Sequence, residues 1–584
     1  MTDSTQPSDR PGSETPFDRS QMLRRLADEA FDVVVIGGGI TGVGVALDAA
    51  TRGLTTALVE RDDFASGTSS KSSKLVHGGL RYLQHGEFGL VYGALHERQR
   101  LRHNAPHLVR VLPFMLPILK TRNGVVPRKV ARLFGLSMWL YDMTGGWRIG
   151  KLHKRLKKDV AFTHLPTMPE ERLSSAYLYY DATADDARLC LTVARTAAAH
   201  GAVVVNRCGV VEILTDEAGQ AEAVVVDAGT HADPGQRITI RTRLVVNAAG
   251  VWADEVSALA ESKNPDSIRP AKGVHITVPW DKIRNDIAVV IPVPKDKRSL
   301  FIVPWGPLPN GTYRHSYVGT TDTDYDGDVD DPQCTKADVD YILRALNASI
   351  TTGITADDVT GTWAGLRPLV KSGADGRTAD LSRRHSITTN AAGVIRVAGG
   401  KLTTYREMAE DTVDQAMDRL GRSGRCRTRK LKLLGADGFH EPAPESRDAH
   451  LALRYGTEIA AIRGLIDADR SLADPLVPGL PYLRAEAVHA VRSEMAVTLD
   501  DVLSRRTRAR LFDRQAAADS ADAVAALVAA ELGWSAEHTA AEVDVFRTSC
   551  ASEEAAVHDL TTPEAPSVVS AASSADSYYD GPVA

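Results

Sequence analysis

The sequence has no run of about 18 apolar residues, the length that a helix needs to span a bilayer. It has little excess charge either, because 69 Lys and Arg stand against 75 Asp and Glu, and the net charge of −6 gives no nucleic-acid signature. Five scattered cysteines without a C-x-x-C pair indicate neither a disulfide framework nor a zinc site. The opening segment, Met1 to Ser20, lacks the apolar stretch of a signal peptide. These absences predict an intracellular α/β protein.

Residues 31–60 have the pattern of a strand, a glycine-rich turn, a helix and a second strand. Gly37, Gly39 and Gly42 fit G-x-G-x-x-G, where the glycines allow a tight turn, a close approach of backbone to a pyrophosphate, and close helix–strand packing. The helix N-terminus then offers free N–H groups to phosphate. Glu60 stands at the end of the second strand pattern, where a carboxylate can accept from ribose hydroxyls. This stretch predicts a dinucleotide-binding unit.

Later segments extend this pattern. A strand ending at Val246 runs into small residues up to Gly250, which predicts a second backbone contact with the same dinucleotide. Short strands between Lys272 and Thr321 are typical of a β-rich substrate domain. Beyond residue 424, apolar residues at helical spacing over 488–502 and 524–532 predict a separate helical domain.

The segment 121–160 is strongly basic, with ten Lys and Arg against two Asp. Aromatic and aliphatic residues, including Trp139 and Trp147, lie between the basic ones. This composition predicts a helix lying in an anionic membrane interface. A solvated basic loop over an apolar anchor and the rim of a pocket for an anionic substrate remain alternatives.

Asp322 to Gly327 fits the first half of a calcium loop, D-x-D-x-D-G, but the twelfth position is Gln333 instead of a bidentate Glu. A turn of solvated acids is therefore the preferred interpretation, and no metal site is expected.

Several motifs together resemble one family. They are the glycine loop, T-S-S-K-S-S-K-L-V-H-G-G-L-R-Y-L at 68–83, G-T-T-D at 319–322, G-L-R-P at 365–368, and G-G-K-L-T-T-Y-R at 399–406. Read together, they resemble the FAD-dependent (aerobic, quinone-linked) glycerol-3-phosphate dehydrogenases, from about residue 32 to 420. The resemblance implies oxidation of sn-glycerol 3-phosphate to dihydroxyacetone phosphate. It also implies electron transfer to membrane quinone, from a protein held peripherally on the cytoplasmic face of the membrane. A homodimer is compatible with it, and no nucleic acid is expected as a partner.

The implied fold is α/β: a Rossmann-like FAD-binding domain interleaved with a β-rich substrate domain, like D-amino-acid oxidase, plus a C-terminal helical domain. We expect residues 1–29 to be a leader, disordered to about residue 20, with a short helix over 21–29. The FAD-binding domain is expected at 30–80, 170–265 and 360–423. The substrate domain is expected at 81–169 and 266–359, the helical domain at 424–561, and a disordered tail at 562–584.

The resemblance also implies site residues. Those expected to contact FAD are Gly37, Gly39, Gly42, Glu60, Ser69, Ser70, Lys74, His77, Ala249, Gly250, Gly400, Lys401, Leu402 and Thr403. Those expected to bind substrate are Arg81, Tyr82, Arg367 and Lys272, because guanidinium matches a phosphate dianion in shape and charge. His275 is the preferred catalytic base, since imidazole titrates near neutrality. His77 is its rival, and Lys401 is expected to hold charge on the flavin or to bind substrate oxygens.

Three other functions stay open from the residues alone. A glycerol-3-phosphate oxidase would pass electrons to oxygen and make peroxide. An amine or amino-acid oxidase would share the fold. A non-catalytic flavin-binding membrane protein would carry FAD that no small alcohol reduces, although the paired arginines and histidines argue against it.

Overall fold

The structure is a computed structural model that describes residues 17–79, 87–120, 128–229, 235–261, 264–294, 296, 298–371, 385–443, 446 and 448–558; the side chains of 128–134 are not described. Its helices are α1 (Arg19–Asp28), α2 (Ile40–Thr51), α3 (Phe88–Asn104), α4 (Arg128–Met143), α5 (Lys158–Thr163), α6 (Asp186–Ala199), α7 (Ala253–Glu261), α8 (Lys336–Asn347), α9 (Tyr405–Arg419), α10 (Ala449–Tyr455), α11 (Ile459–Ala468), α12 (Arg484–Glu494), α13 (Ala509–Phe512), α14 (Arg514–Asp519), α15 (Ala521–Leu532) and α16 (Ala536–His558).

The strands are β1 (Ala30–Phe31), β2 (Val33–Ile36), β3 (Thr56–Val59), β4 (Leu75–Val76), β5 (Arg110–Leu119), β6 (Lys154–Lys157), β7 (Leu173–Thr183), β8 (Val203–Val205), β9 (Gly209–Thr215), β10 (Ala221–Asp227), β11 (Arg237–Thr242), β12 (Val245–Asn247), β13 (Ile268–Pro279), β14 (Ala288–Pro292), β15 (Ser299–Pro307), β16 (Tyr313–Gly319), β17 (Thr323–Asp324), β18 (Gly361–Val370), β19 (His385–Thr389) and β20 (Ile395–Gly399).

A six-stranded sheet in the order β19-β20-β12-β2-β3-β8 forms the first half of the molecule. All of its strands except β19 run parallel. Its central strands are continuous apolar runs because helices cover a parallel sheet, and α2 packs against both α6 and α9. The Rossmann-like unit predicted from the glycine loop is confirmed. A separate four-stranded sheet has the strand order β1-β11-β10-β9.

A ten-stranded, mostly antiparallel sheet forms the second half, in the order β17-β13-β16-β15-β14-β5-β7-β4, with β18 on β13 and β6 on β7. Three predicted domain boundaries differ from this arrangement. Strands β4, β7 and β18 fall within the predicted FAD-binding segments 30–80, 170–265 and 360–423, yet all three pair in the ten-stranded sheet. An apolar strand pattern shows that a strand forms but not which strand it pairs with, so these boundaries were wrong.

The C-terminal region is helical, with two apolar cores of its own. The helix predicted across 488–502 is wrong, because α12 ends at Glu494, Met495 has φ of 54°, and a π-helical turn follows at Asp501–Arg506. Helix α15 ends at Leu532 before left-handed Gly533, as predicted.

At the other end of the chain, α1 buries Met22 and Leu26, so order begins before residue 20. The predicted tail at 562–584 lies outside the described residues. In the described part of the chain, no helix combines the length and apolarity needed to cross a membrane.

Candidate active site

A cavity of about 830 Å³ lies where the two large sheets face each other. The six-stranded sheet contributes the carboxyl ends of β2, β3, β12 and β20, through Ile36, Val59, Ala248 and Gly399. In open α/β sheets, ligands bind at this edge. The ten-stranded sheet contributes side chains from its strands: Phe114, Tyr179, His275, Phe301 and Arg367.

The glycine loop is tight enough that side chains are excluded from it. Gly37 has φ of 109°, and a Cβ there would lie 2.8 Å from the carbonyl oxygen of Ala248. A Cβ at Gly42 would lie 1.9 Å from the carbonyl oxygen of Gly37, so α2 rests directly on the turn. Gly37 and Gly39 border the cavity, whereas Gly42 acts through packing.

Glu60 borders the cavity at the end of β3. Its carboxylate accepts from the backbone N–H groups of Gly38 (2.5 Å) and Asp62 (2.8 Å). Burial raises the pKa of Glu60 to about 7, so this carboxyl group titrates near neutral pH.

The segment 66–74 forms one wall of the cavity. The Ser69 hydroxyl accepts from the N–H of Ile40 (2.9 Å) and borders the cavity, which suits the predicted cofactor contact. Ser70 and Lys74 do not border it, in contrast to the prediction. The Lys74 ammonium is buried behind the wall, where it donates to Asp186 (3.1 Å) and to the carbonyl oxygen of Ser70 (3.2 Å). Lys74 therefore supports the wall and does not line it.

The remaining predicted cofactor residues also border the cavity, at the turns after β12 and β20 and at His77. Ala249 and Gly250 follow β12, and Gly400 to Thr403 follow β20; all border the cavity. The backbone N–H of His77, which also borders it, donates to the Thr403 hydroxyl (3.2 Å). Lys401 lies in the same wall.

His275 lies in β13 and faces the cavity, although its side chain is buried. Its Nε2 shares a hydrogen bond with the Ser73 hydroxyl (2.9 Å), and its ring stacks on Trp363 with 4.8 Å between centroids. Burial, together with the positive charges of Lys74 and Arg367, lowers the pKa of His275 well below its usual value. The imidazole is therefore neutral near neutral pH, the form that a general base must have before it takes a proton.

Arg367 borders the cavity close to His275, and a second guanidinium lies beside it. Arg367 donates to the Asp322 carboxylate (2.9 Å), while Arg298 donates to the Asp322 carbonyl oxygen (2.6 Å) and the Asp296 carboxylate (2.7 Å). Thr320 completes this cluster at the cavity. Arg298 was not predicted from the sequence, because a single Arg before a short strand belongs to no recognisable motif.

Lys272 does not reach the site. Alternate residues of a strand face opposite sides of the sheet, so Lys272 lies on the face away from Gly273 and His275. Its ammonium pairs with buried Asp338 (2.6 Å). The substrate contact predicted for Lys272 is thus replaced by a structural ion pair, an outcome that the strand alternation already indicates. Arg81 and Tyr82 lie outside the described residues.

Asp181 is a second cavity residue that the sequence analysis missed. It accepts from the Tyr141 hydroxyl (2.7 Å), from Arg98 (2.5 Å) and from the N–H of Gly78 (3.3 Å). Two of these partners come from α3 and α4, so only the folded structure brings them together.

The residues present fit a flavin dinucleotide. The cavity has a turn that no Cβ can enter, an acid at the end of β3, and two further small-residue turns, which suits a phosphate-bridged cofactor held by backbone. Residues 32–406 match the family model described as FAD dependent oxidoreductase, and 426–539 match the C-terminal domain of alpha-glycerophosphate oxidase. The fold and site define an FAD-dependent oxidoreductase.

Relatives narrow the class. Glycerol-3-phosphate dehydrogenase 2 of Mycobacterium bovis is 42% identical over 543 residues, covering 91% of this chain and 89% of the relative. The mitochondrial glycerol-3-phosphate dehydrogenase of Mesocricetus auratus is 36% identical, covering 92% and 75%. The structure of glycerol-3-phosphate dehydrogenase from Bacillus halodurans complexed with FAD superposes with a TM-score of 0.71 at 30% identity, covering 94% of this chain and 99% of that one. The chain belongs to the FAD-dependent glycerol-3-phosphate dehydrogenases.

Proposed function

We propose that this chain oxidises sn-glycerol 3-phosphate to dihydroxyacetone phosphate and that His275, Arg367 and Arg298 act on the substrate. The observation that carries the assignment of roles is that a neutral, buried imidazole and two guanidinium groups border the same cavity as the glycine turns. FAD, when bound, supplies the acceptor for the hydride that leaves the substrate carbon.

His275 acts as the general base for the C2 hydroxyl group. A secondary alcohol must lose its hydroxyl proton as the carbonyl forms, and a neutral imidazole can take it. The hydrogen bond to Ser73 and the stacking on Trp363 fix the ring orientation. His77, by contrast, lies in the wall formed with Thr403, which favours a role in holding the cofactor.

Arg367 and Arg298 bind the phosphate group. Guanidinium is planar, stays charged, and forms paired hydrogen bonds with phosphate oxygens. Asp322 orients both groups, through its carboxylate and its carbonyl oxygen respectively. Lys401 supplies a further positive charge in the opposite wall, suited to negative charge on the flavin ring or to substrate oxygens.

Anaerobic titration of the yellow, FAD-loaded protein tests this assignment. We expect sn-glycerol 3-phosphate to bleach the visible flavin band, and glycerol or an amino acid such as L-proline to leave it unchanged at the same concentration. Bleaching by the amino acid but not by the phosphate ester would contradict the proposal.

We further propose that electrons pass to membrane quinone and that the protein binds the cytoplasmic face of the membrane through α4 and the residues after it. Six large apolar side chains are exposed there: Leu136 (58%), Trp139 (57%), Met143 (74%), Trp147 (55%), Leu152 (51%) and Val160 (48%). Arg148 lies over the Trp147 ring, and Lys154, Arg155 and Lys157 are exposed nearby in the chain. Apolar anchors beside basic residues suit an anionic bilayer surface.

Vesicle sedimentation tests the membrane contact. We expect binding to vesicles containing phosphatidylglycerol, weaker binding to phosphatidylcholine alone, and loss of binding in a Trp139→Ser, Trp147→Ser double variant. Val545→Ser is the matched control, because Val545 is similarly exposed (66%) on α16. Equal binding by the double variant would contradict this surface.

The acceptor requires a separate measurement. Comparing the rate of quinone-analogue reduction with the peroxide yield in air distinguishes a dehydrogenase from an oxidase. Stoichiometric peroxide without quinone reduction would overturn the quinone assignment.

A further inference from the structure

The C-terminal helical region contacts the core of the molecule through buried charges behind the 66–74 wall. The π-helical turn Asp501–Arg506 and the residues after it direct cations toward the FAD-binding half. Arg506 binds the Asp63 carboxylate (2.6 and 2.8 Å), just beyond Glu60. Arg508 binds Asp185 (3.0 Å) and Asp186 at the start of α6. Removing a partner from such buried pairs leaves an uncompensated charge, so these contacts fix the geometry of both sides.

Asp186 is the centre of the contacts around Arg508. Its side chain is fully buried and binds two cations, Arg508 and Lys74. The same carboxylate accepts from the N–H (3.0 Å) and the hydroxyl (2.7 Å) of Ser72. Asp186 therefore holds the wall at Ser72 and Lys74, on either side of Ser73. Lys74 itself has φ of 56°, an unusual conformation for a residue with a side chain, which the surrounding contacts maintain.

Ser73 connects this wall to the base. Its hydroxyl contacts Nε2 of His275 (2.9 Å), and its carbonyl oxygen accepts from the Tyr317 hydroxyl (2.9 Å). The carbonyl oxygen of Ser72 accepts from Trp363 Nε1 (3.0 Å), and Trp363 stacks on the His275 ring. The segment from Ser72 to Lys74 thus touches the imidazole both directly and through its stacking partner.

We propose that Arg508 is a positioning residue for His275: it fixes Asp186, which holds Ser72 and Lys74 so that the Ser73 hydroxyl orients the imidazole. The inference rests on the proposed role of His275 and assigns the C-terminal region a part in catalysis that a purely supporting domain would not have. Arg508 does not border the cavity, and its contact with Asp186 is the one that leads through Ser72 and Ser73 to His275.

The first test measures flavin reduction by sn-glycerol 3-phosphate in the FAD-loaded R508Q protein. A small displacement of a catalytic group lowers the chemical rate, so we expect kcat to fall about 10- to 100-fold while KM changes less than about 3-fold. R508K keeps the cation but not the fork of donors, so we expect an intermediate kcat.

The matched control is R195Q. Arg195 lies on α6, the same helix as Asp186, and forms a two-hydrogen-bond pair with Glu458 of the C-terminal region (2.8 Å each). That pair crosses the same interface without touching Ser72 to Lys74. If Arg508 only stabilises the interface, R195Q and R508Q will change kcat alike, and the proposal is wrong.

A double-mutant cycle with S73A decides whether Arg508 acts through Ser73. Because residues in one chain of contacts are not additive, R508Q combined with S73A should lose no more kcat than the more severe single variant. If the fold-loss in kcat of the double variant equals the product of the fold-losses of the two single variants, the proposal is wrong. If R508Q does not yield folded flavoprotein, the same cycle is run with R508K.

The H275Q variant distinguishes a failure of the positioning role proposed for Arg508 from a failure of the proposed function. If H275Q loses kcat and R508Q does not, the positioning role is wrong and the proposed function stands. If H275Q keeps full kcat, His275 is not the base, and both the role proposed for it and the role proposed for Arg508 are refuted.

Discussion

The cavity wall formed by the six-stranded sheet and the cavity wall formed by the ten-stranded sheet offer different chemical groups to a ligand. On the six-stranded sheet, the turns after β2 and β12 offer mainly backbone, and the turn after β20 adds Lys401 and Thr403. On the ten-stranded sheet, the strands and the residue before β15 offer side chains: an imidazole, two guanidinium groups and several aromatic rings. The wall on the six-stranded sheet thus suits close approach of FAD, the cofactor that all FAD-dependent oxidoreductases share. The second is built for recognition of a particular substrate.

The difference predicts how each wall responds to substitution. A backbone wall tolerates no added atom but depends little on which side chains surround it. A side-chain wall accepts a change of residue without loss of fold, because each group contributes one hydrogen bond or charge. Damage to the first wall should therefore remove the cofactor, and damage to the second should leave cofactor bound and alter kcat or KM.

Gly42→Ala should have the largest effect. The added Cβ would lie 1.9 Å from the Gly37 carbonyl oxygen, so α2 and the turn must separate. We expect FAD affinity to fall about 100-fold or more, equivalent to about 3 kcal/mol or more of binding free energy, because an added carbon atom at a rigid, closely packed site forces its neighbours apart. Flavin absorbance of the purified protein and FAD titration measure it. Gly464→Ala is the control, since a Cβ there meets nothing within 4 Å. Normal flavin content in Gly42→Ala would contradict the backbone wall.

His275→Gln should have the next largest effect, on kcat alone. Loss of a general base lowers the rate by about 10²-fold or more, while FAD content stays normal. Stopped-flow flavin reduction measures the rate constant of the chemical step separately from the rest of the turnover. His315→Gln is matched to it, because His315 is another histidine of low pKa in the same sheet but does not border the cavity. A similar loss in both variants would indicate damage to the sheet instead of loss of a base.

Arg367→Gln should raise KM for sn-glycerol 3-phosphate by about 10-fold or more, since a charge-assisted hydrogen bond to phosphate contributes about 1.5–3 kcal/mol. The effect on kcat should be smaller. Arg269→Gln serves as control, because Arg269 pairs with exposed Asp324 in the same sheet and does not border the cavity. An unchanged KM would exclude Arg367 as the phosphate ligand.

Glu60→Gln should have the smallest effect, on the pH dependence of FAD binding. Burial raises the pKa of Glu60 to about 7, and ribose hydroxyls donate to the ionised carboxylate. FAD affinity should therefore increase as pH rises through 7, by at most about 10-fold per pH unit. For the apo-protein the sign is opposite: a raised carboxyl pKa means that this contribution to stability is lost as pH rises from the unfolded pKa through 7. Titration calorimetry between pH 6 and 8 measures the pH dependence of FAD affinity for the unsubstituted protein and for Glu60→Gln. Equal pH dependence of FAD affinity in the two proteins would contradict this role of Glu60.

The first wall could be predicted from sequence because a turn between strand and helix is local. Gly37, Gly39 and Glu60 lie in one short stretch of the chain, and their spacing alone implies the geometry that the structure has. His275 and Arg367, which were predicted from the sequence as base and substrate ligand, both border the cavity. Local pattern was equally sufficient for the end of α15 at Gly533.

The second wall could be predicted only in part, because its geometry depends on which strands pair. Arg298 and Asp181 carry no motif, and their partners Asp322 and Tyr141 are distant in sequence. Lys74 was misplaced because the sequence does not show that Asp186, 112 residues away, binds its ammonium behind the wall. The helix predicted over 488–502 is interrupted by the π-helical turn, whose Arg505 and Arg506 bind Asp63, a residue so distant in sequence that helical spacing does not show the contact.

The strand order of the six-stranded sheet has a consequence for biosynthesis. Within that sheet, strands β2 and β3 are made first, but β20, which joins β12 next to the cavity, is made only after every strand of the ten-stranded sheet. A nascent chain released or stalled before residue 403 therefore lacks one side of the FAD cradle, however well its earlier part has folded. Riboflavin limitation should accordingly act on the finished polypeptide after it leaves the ribosome, and accumulate colourless full-length protein instead of truncated flavoprotein.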